Sequence, residues 1–298
     1  MFKVHSITSL DLTELQPYRT MRRQMEQRQQ GIFVAEGEKV VRRLIESDFG
    51  VVSALMPQEW VEKLEPLLRA RPETVNVYVA EKALLETLTG FSMYQGLLAV
   101  GRVPKPQTLD EILARTPGPW LLAAVENLSN AENLGAVIRN CAAFHVDALI
   151  ASETSSSPFL RRAVRSSMGT VFKLPMVELG QESIQYSVFS GQKKSPAAHQ
   201  DAGKEPGSLR ETLLGLKARG VRCIAAHPHV EKRTLSDADF TEHCCLVFGS
   251  EGYGISESVH EVCDDSVAIP MRPGIDSLNV ASAAAVFLYE VNRQRARS

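Results

Sequence analysis

Residues 266–294 read "SVAIPMRPGIDSLNVASAAAVFLYEVNRQ". The run 267–271, "VAIPM", has the apolar continuity of a strand buried on both faces, and Pro270 withdraws an amide from any longer ladder. "RPGID" then forms a loop, with Asp276 or Ser277 placed to cap the next helix. That helix begins with Ala281, Ser282, Ala283, Ala284 and Ala285, so its first turns admit other backbone at close range. Helix N-terminal amides and the loop's own N–H groups suit the polar edges of a ligand. In parallel α/β sheets ligands bind outside the carboxyl ends of strands, which is where this loop lies.

Upstream the same alternation extends to Trp120. "WLLAAVE" (120–126), "ALIAS" (148–152), "VFKLPMVEL" (171–179), "VRCIAA" (221–226) and "CCLVF" (244–248) read as strands. "ENLGAVIRNCAAFH" (132–145), "PFLRRAVRSS" (158–167) and "LRETLLGLKARG" (209–220) read as helices between them. Continuous apolar strands separated by helices predict an α/β domain with a parallel sheet covered on both faces, over residues 120–298. Within it, residues 191–208, "GQKKSPAAHQDAGKEPGS", contain almost nothing that can be buried and are expected to be a disordered insertion.

Residues 105–119 read as a linker, because Pro104, Pro106, Pro117 and Pro119 bracket a short helical piece. Before it, residues 1–104 alternate again: an extended entry and helix in "GIFVAEGEKVVRRLIES", strands "VVSALM", "VNVYVA" and "GLLAVGRV", and the helix "EWVEKLEPLLRA". That pattern predicts a small α/β sandwich.

The whole chain has 298 residues, 44% hydrophobic and 23% charged, with a formal net charge of -2, a globular composition with no global basic excess. A nucleic-acid partner therefore has to be met by a local patch. Five cysteines without CxxC spacing suggest a reducing compartment, no metal is expected, and no run approaches 18 apolar residues. The opening "MFKVHSITSL" lacks an apolar core for export, so the expectation is a cytoplasmic protein with no membrane contact.

Three strand-to-loop junctions carry possible chemistry. In "VENLSNAENLGAVIRN" a polar loop leads into a helix whose apolar stripe is Leu134, Val137, Ile138, Cys141, Ala142 and His145. Arg139 lies off that stripe; taken alone it reads as a solvated arginine, and Asn133 as helix-start chemistry. In "CCLVFGSEGYGISESVHEV", Gly249, Gly252 and Gly254 allow close approach and Ser256 can cap the next helix. Its order is G-x-x-G-x-G, so the dinucleotide fingerprint and a nicotinamide-dependent oxidoreductase are not supported. The third junction is the opening stretch.

Together the three junctions resemble the ordered motifs of the SpoU/TrmH family of S-adenosylmethionine-dependent RNA ribose 2'-O-methyltransferases. Asn133 to Arg139 is similar to N-L-G-A-x-x-R, Gly249 to Gly254 to G-x-E-G-x-G, and Ile269 to Met271 with Ser277 to Val280 to I-P-M and S-L-N-V. "RSSMGTVFKLP" (165–175) resembles a further segment of the family, and "FVAEGEKVV" with "YQGLLAV" more loosely resembles its accessory RNA-binding domain. The resemblance implies a deep trefoil knot near the C-terminus, a homodimer, and ribosomal or transfer RNA as substrate. It also implies S-adenosylmethionine as methyl donor, lined by Gly249, Ile269 and Leu278 with Gly254 and Met271. Asn133, Arg139, Glu251, Ser277 and Asn279 are implied to face the reacting end.

An arginine stays protonated in proteins, so Arg139 is read as stabilising an alkoxide or gripping a phosphate, although the resemblance also brings a proposed base role. Asn130-Ala131 stands where the family often has Asp-Pro, and Ala281 where it often has Ser. For RNA capture the candidates are Arg19, Arg22, Arg23 and Arg28 before the first domain's helix, and Arg161, Arg162 and Arg165 near the second domain's active face. The alternative function is a catalytically silent RNA-binding protein of the same fold.

Overall fold

The computed structural model describes residues 1–89, 96–180, 208–228 and 233–296. They form two compact units, one of Met1–Lys105 with Pro158–Lys173 and the other of Pro106–Ser157 with Leu174–Ser298. Residues 158–173, which the sequence pattern assigned to the second domain, therefore belong to the first unit.

The first unit is built on a five-stranded mixed sheet in the order β1-β4-β3-β5-β2. Its strands are β1 (Phe2–Ser6), β2 (Ile32–Glu36), β3 (Val51–Met56), β4 (Val75–Val79) and β5 (Leu98–Arg102). β5 runs antiparallel to both β2 and β3, and the other pairings are parallel. Alternation along β2 sends Ile32 and Val34 to one face, where Leu15, Tyr18 and Met21 cover them. Phe33 points the other way, into a ring cluster with Phe49, Phe159 and Phe172 at centroid distances of 5.3–6.3 Å. The last two rings come from the 158–173 segment, which explains why it sits in this unit.

Polar contacts fix that segment further. The Glu36 carboxylate, only 8% exposed, pairs with Arg161 and, at 3.3 Å, with Arg165. Arg43 donates to the Met168 carbonyl at 2.5 Å. Nearby, buried Arg71 donates to the carbonyls of Ile45, Ser47 and Phe49 and pairs with Glu73 at 2.7 Å. Burial alone raises the Glu73 carboxyl, but the Arg71 side chain and the Val51 N–H bring it below its ordinary value.

The second unit has a six-stranded sheet, every pairing parallel, in the order β11-β9-β10-β6-β7-β8. The strands are β6 (Leu121–Val125), β7 (Ala148–Ala151), β8 (Met176–Glu178), β9 (Arg222–Ala226), β10 (Cys244–Phe248) and β11 (Asp265–Val267). Leu122, Ala124, Ile150, Cys223 and Val247 face a core closed by Leu209, Leu213 and Leu216 of the helix Leu209–Lys217. On the opposite side the helices Ala131–Ala143 and Val280–Arg295 pack together. Asn140 donates to the Ala281 carbonyl at 2.6 Å and Asn292 to the Phe144 carbonyl at 2.9 Å.

Several boundaries differ from the sequence expectation. The strand expected over 267–271 ends at Val267, because its last partner, Ala226, is the end of β9 and the ladder runs out there. In 171–179 only Met176–Glu178 is strand, since Thr170–Phe172 forms a 3-10 turn that places Phe172 in the first unit's core. His145 is exposed with φ 56, past the helix end, so it drops out of the predicted stripe. Of the insertion expected at 191–208, residues 191–207 lie outside the described residues; Ser208 caps its helix by accepting from the Glu211 N–H. No described helix is long and apolar enough to cross a membrane.

Candidate active site

β10 delivers the chain at Phe248 into a loop that folds back on itself. Ser250 and Gly254 exchange two backbone hydrogen bonds, at 3.1 and 2.9 Å. A Cβ on Gly249 would sit 2.1 Å from the Gly254 carbonyl carbon, so only glycine fits there. Past the turn, Ser256 donates from its N–H and its hydroxyl to Glu126, at 2.8 and 2.6 Å, while its Oγ accepts from the Val259 N–H. Glu126 directly follows β6, so the loop is fastened to a neighbouring strand at its far end.

The facing loop leads to the helix Val280–Arg295. Its N-cap is Asn279, not Asp276 or Ser277: the Asn279 Oδ1 accepts from the Ala281 N–H at 2.9 Å. Asp276 and Ser277 remain in the exposed loop. The same Asn279 amide donates from Nδ2 to Glu251 Oε1 at 2.6 Å and to Asn133 Oδ1 at 3.2 Å. Asn133 reaches this point because Asn130 caps the helix Ala131–Ala143, accepting from the N–H groups of Glu132 and Asn133. Three polar side chains from three separate segments thus meet.

A cleft of about 360 Å³ lies between the two loops. Phe248, Val280 and Phe287 give it a buried apolar surface, and Ala226, His227 and Pro228 contribute from the end of β9. All five residues expected to line a donor, Gly249, Gly254, Ile269, Met271 and Leu278, border this cleft. Glu251 and Ser277 border it as well. Arg139 does not: it is exposed on the helix, six residues and about 9 Å of helix rise beyond Asn133. Its guanidinium makes no hydrogen bond or ion pair among the described residues. The sequence reading missed Tyr253 and the Glu126–Ser256 fastening; only the position of Tyr253 inside a glycine-rich loop signalled the former.

The arginines expected to take RNA all fall in the first unit. Arg19 pairs with Asp11 at 3.8 Å and Arg23 with Glu26 at 3.1 Å, so part of their charge is used locally. Arg22, Arg28 and Arg162 are exposed. Arg161 and Arg165 share Glu36, which corrects their expected assignment to the second domain.

The cysteines do not offer a nucleophile. Burial pushes the thiols of Cys141 and Cys223 up to about 12 and those of Cys244 and Cys263 up to about 11, and raises Cys245 well above its ordinary value. Among the described residues no cluster of three His, Cys, Asp or Glu side chains is placed to hold a metal ion.

Comparison with known proteins gives this arrangement a family. A model of the SpoU rRNA Methylase family matches residues 121–185 and 193–289, more than half of the chain. An uncharacterised tRNA/rRNA methyltransferase from Mycobacterium tuberculosis is 30% identical over 266 residues, covering 88% of this chain and 81% of that protein. Among solved structures, the SpoU methyltransferase AviRb from Streptomyces viridochromogenes shares the fold with a TM-score of 0.73 at 24% identity, over 95% of this chain and 97% of that one. An AdoMet-bound rRNA methyltransferase from Sinorhizobium meliloti does so with a TM-score of 0.75 at 21% identity, over 97% and 98%. The match spans the parallel sheet and both loops of the cleft, and the chain belongs to the SpoU rRNA methylase family.

Proposed function

We propose that this RNA methyltransferase modifies the 2'-hydroxyl of a ribose in ribosomal or transfer RNA, with S-adenosylmethionine as methyl donor. The observation that carries the reading is the Asn133–Asn279–Glu251 group beside a cleft with a buried apolar surface. A solved RNA 2'-O ribose methyltransferase with a TM-score of 0.74 at 24% identity has the same fold.

The cleft fits the donor by its chemistry. Its volume is within the roughly 300–1,000 Å³ of small-molecule sites. Phe248, Val280 and Phe287 suit an apolar ring, and Gly249, Gly252 and Gly254 line the cleft without side chains, so a ligand's polar edge can meet main chain there. Bound there, the donor supplies an electrophilic sulfonium methyl. Gly249, Gly254, Ile269, Met271 and Leu278 would hold it.

The chain's own part in the reaction is positioning and charge. The Asn279 oxygen is committed to the Ala281 N–H, so its NH2 group has to face Glu251 and Asn133. That orientation holds the Glu251 carboxylate at Oε1 and occupies Asn133 Oδ1, which leaves the Asn133 NH2 group to donate to a ribose oxygen. Ser277 offers a hydroxyl on the same loop. Arg139 is exposed and permanently charged and lies outside the cleft; from there it grips the adjoining phosphate, or stabilises the developing alkoxide as the 2'-hydroxyl gives its proton to solvent water. Holding the weak nucleophile close to the methyl supplies much of the acceleration.

S-adenosylhomocysteine at about 100 times its dissociation constant should stabilise the protein by about 2.7 kcal/mol, and NADH should not. Methyl label transferred to RNA should survive alkaline hydrolysis in dinucleotides, because a methylated 2'-oxygen cannot attack its phosphate. Label recovered on a base would refute the ribose assignment. Arg139→Ala should lose about 100-fold in turnover while keeping S-adenosylhomocysteine affinity. RNA binding without any methyl transfer by the unaltered chain would instead identify a silent relative.

The knot and the homodimer belong to the same proposal. Ser282, Val286 and Tyr289 expose one stripe of the terminal helix, with Val286 40% and Tyr289 59% exposed, a surface suited to an isologous pair. Sedimentation showing a monomer at micromolar concentration would exclude the pair. Full extension of the unfolded chain on pulling by its ends would exclude the knot.

A further inference from the structure

We propose that Tyr253 is a stacking platform for a nucleobase of the RNA strand presented to the cleft, an inference that rests on the methyltransferase reading above. Tyr253 is 90% exposed, more than any other large hydrophobic side chain among the described residues. A ring of this size leaves most of its apolar area in water, although small polar residues or glycine would serve a surface turn better.

Its backbone, by contrast, is held. The Tyr253 N–H donates to Ser250 Oγ at 3.2 Å, inside the turn that Ser250 and Gly254 close with two further hydrogen bonds. On either side stand Gly252 and Gly254, which bring no side chain against the ring. The ring is therefore offered from a fixed base with open faces, and a planar partner can use it without reorganising the loop.

Position selects the partner. Tyr253 borders the cleft, and two residues earlier in the same loop Glu251 accepts from Asn279. The Cα atoms of residues 251 and 253 are at most about 7 Å apart, the reach of two extended residues. That is the scale of one nucleotide, so a ribose held at the Asn133–Asn279–Glu251 group has its own or the adjoining base beside the ring. The donor's adenine is the competing occupant. For it the cleft already has a drier surface in Phe248 and Phe287, each 2% exposed, whereas Tyr253 is not enclosed. Unpaired RNA bases are commonly recognised on aromatic rings, and the phenol adds a hydrogen-bond donor and acceptor at a base edge.

The test uses the full-length protein with Tyr253→Ala, Tyr253→Leu and Tyr253→Trp, and total RNA from cells lacking the protein as probe. Three quantities are measured: methyl transfer against RNA concentration, retention of the same RNA on filters with S-adenosylhomocysteine present, and S-adenosylhomocysteine affinity without RNA. The Ala and Leu variants should raise the RNA KM and Kd about 10- to 100-fold, the Trp variant should recover most of that affinity, and donor affinity should stay put. Leu binding RNA as well as Tyr, or a loss confined to donor affinity, overturns the proposal. If no chain transfers methyl groups but RNA retention still falls in Ala and Leu alone, the aromatic contact stands and the methyltransferase reading falls. Unchanged RNA retention removes Tyr253 whatever the transfer assay gives.

Discussion

One side-chain amide, that of Asn279, joins a helix start, a glycine loop and a distant helix. Two substitutions separate these duties. Asn279→Ala removes the cap and the contacts together, and should cost about 1 kcal/mol of stability along with activity. Asn279→Asp keeps a good cap but sets a second carboxylate against Glu251. The folded pair then binds a proton more tightly than the unfolded chain, so its penalty is present at neutral pH and shrinks as pH falls. The melting-temperature gap to the unaltered protein should therefore narrow from about pH 7 to about pH 5. A gap independent of pH would mean that residue 279 does not face Glu251. The sequence could not choose the cap, since Asp276, Ser277 and Asn279 are all good caps within four positions. What decides among them is the pull of Glu251 and Asn133, residues far away along the chain. Tyr253 was missed for a related reason: its flanking glycines marked a turn, but the exposure of its ring is a property of what fails to pack on it.

At the scale of the element, the three glycines of the loop after β10 are not equivalent. Gly249 has backbone 2.1 Å from where a Cβ would stand, Gly254 has φ 68, and Gly252 has open space and no such constraint. Gly249→Ala should lose about 1–3 kcal/mol or fail to fold, as overpacked sites do. Gly252→Ala should leave thermal stability within about 0.5 kcal/mol. Equal losses in the two would show that the turn is not closed as described. The parallel sheet of the second unit was legible because its strands are continuous apolar runs. β1 was not, since it is an edge strand whose Lys3, Val4, His5 and Ser6 are exposed, and it shows none of the apolar signal of a buried strand. Within the segment 158–173, residues 158–167 were legible as a helix, residues 171–173 were read as the start of a strand, and the place of the whole was illegible. Its phenylalanines would complete either core equally well by composition, and only the ring cluster with Phe33 and Phe49 settles which.

For the molecule as a whole, the two units are not two consecutive stretches of chain. A fragment beginning at residue 106 would carry Phe159 and Phe172 without Phe33 and Phe49, and Arg161 without Glu36. It should be less soluble than the full chain and should bind a hydrophobic dye. Replacing residues 158–173 by a short polar linker in that fragment should relieve both effects. A soluble, dye-silent fragment with the segment intact would show that the ring cluster is dispensable. Net charge likewise misleads at this scale: Arg19 and Arg23 look like a basic patch in sequence, but each has an acid within reach once the chain is folded. Which charges remain available is decided by pairings that the sequence does not display.

The borrowed segment also orders events during synthesis. A ribosome that has made residues 1–105 has produced every strand of the first sheet but not the side chains that close it, because Glu36 and Phe33 wait for partners about fifty residues further on. At about 5–20 residues per second that is an interval of roughly 3–10 s, during which β6 and β7 of the other unit are already emerging. The first unit therefore stays open until residue 173 has been made, and the second waits longer still, for β9, β10, β11 and the helix Val280–Arg295. Between residues 105 and 173 a nascent sheet with one uncovered aromatic face is most in need of a chaperone.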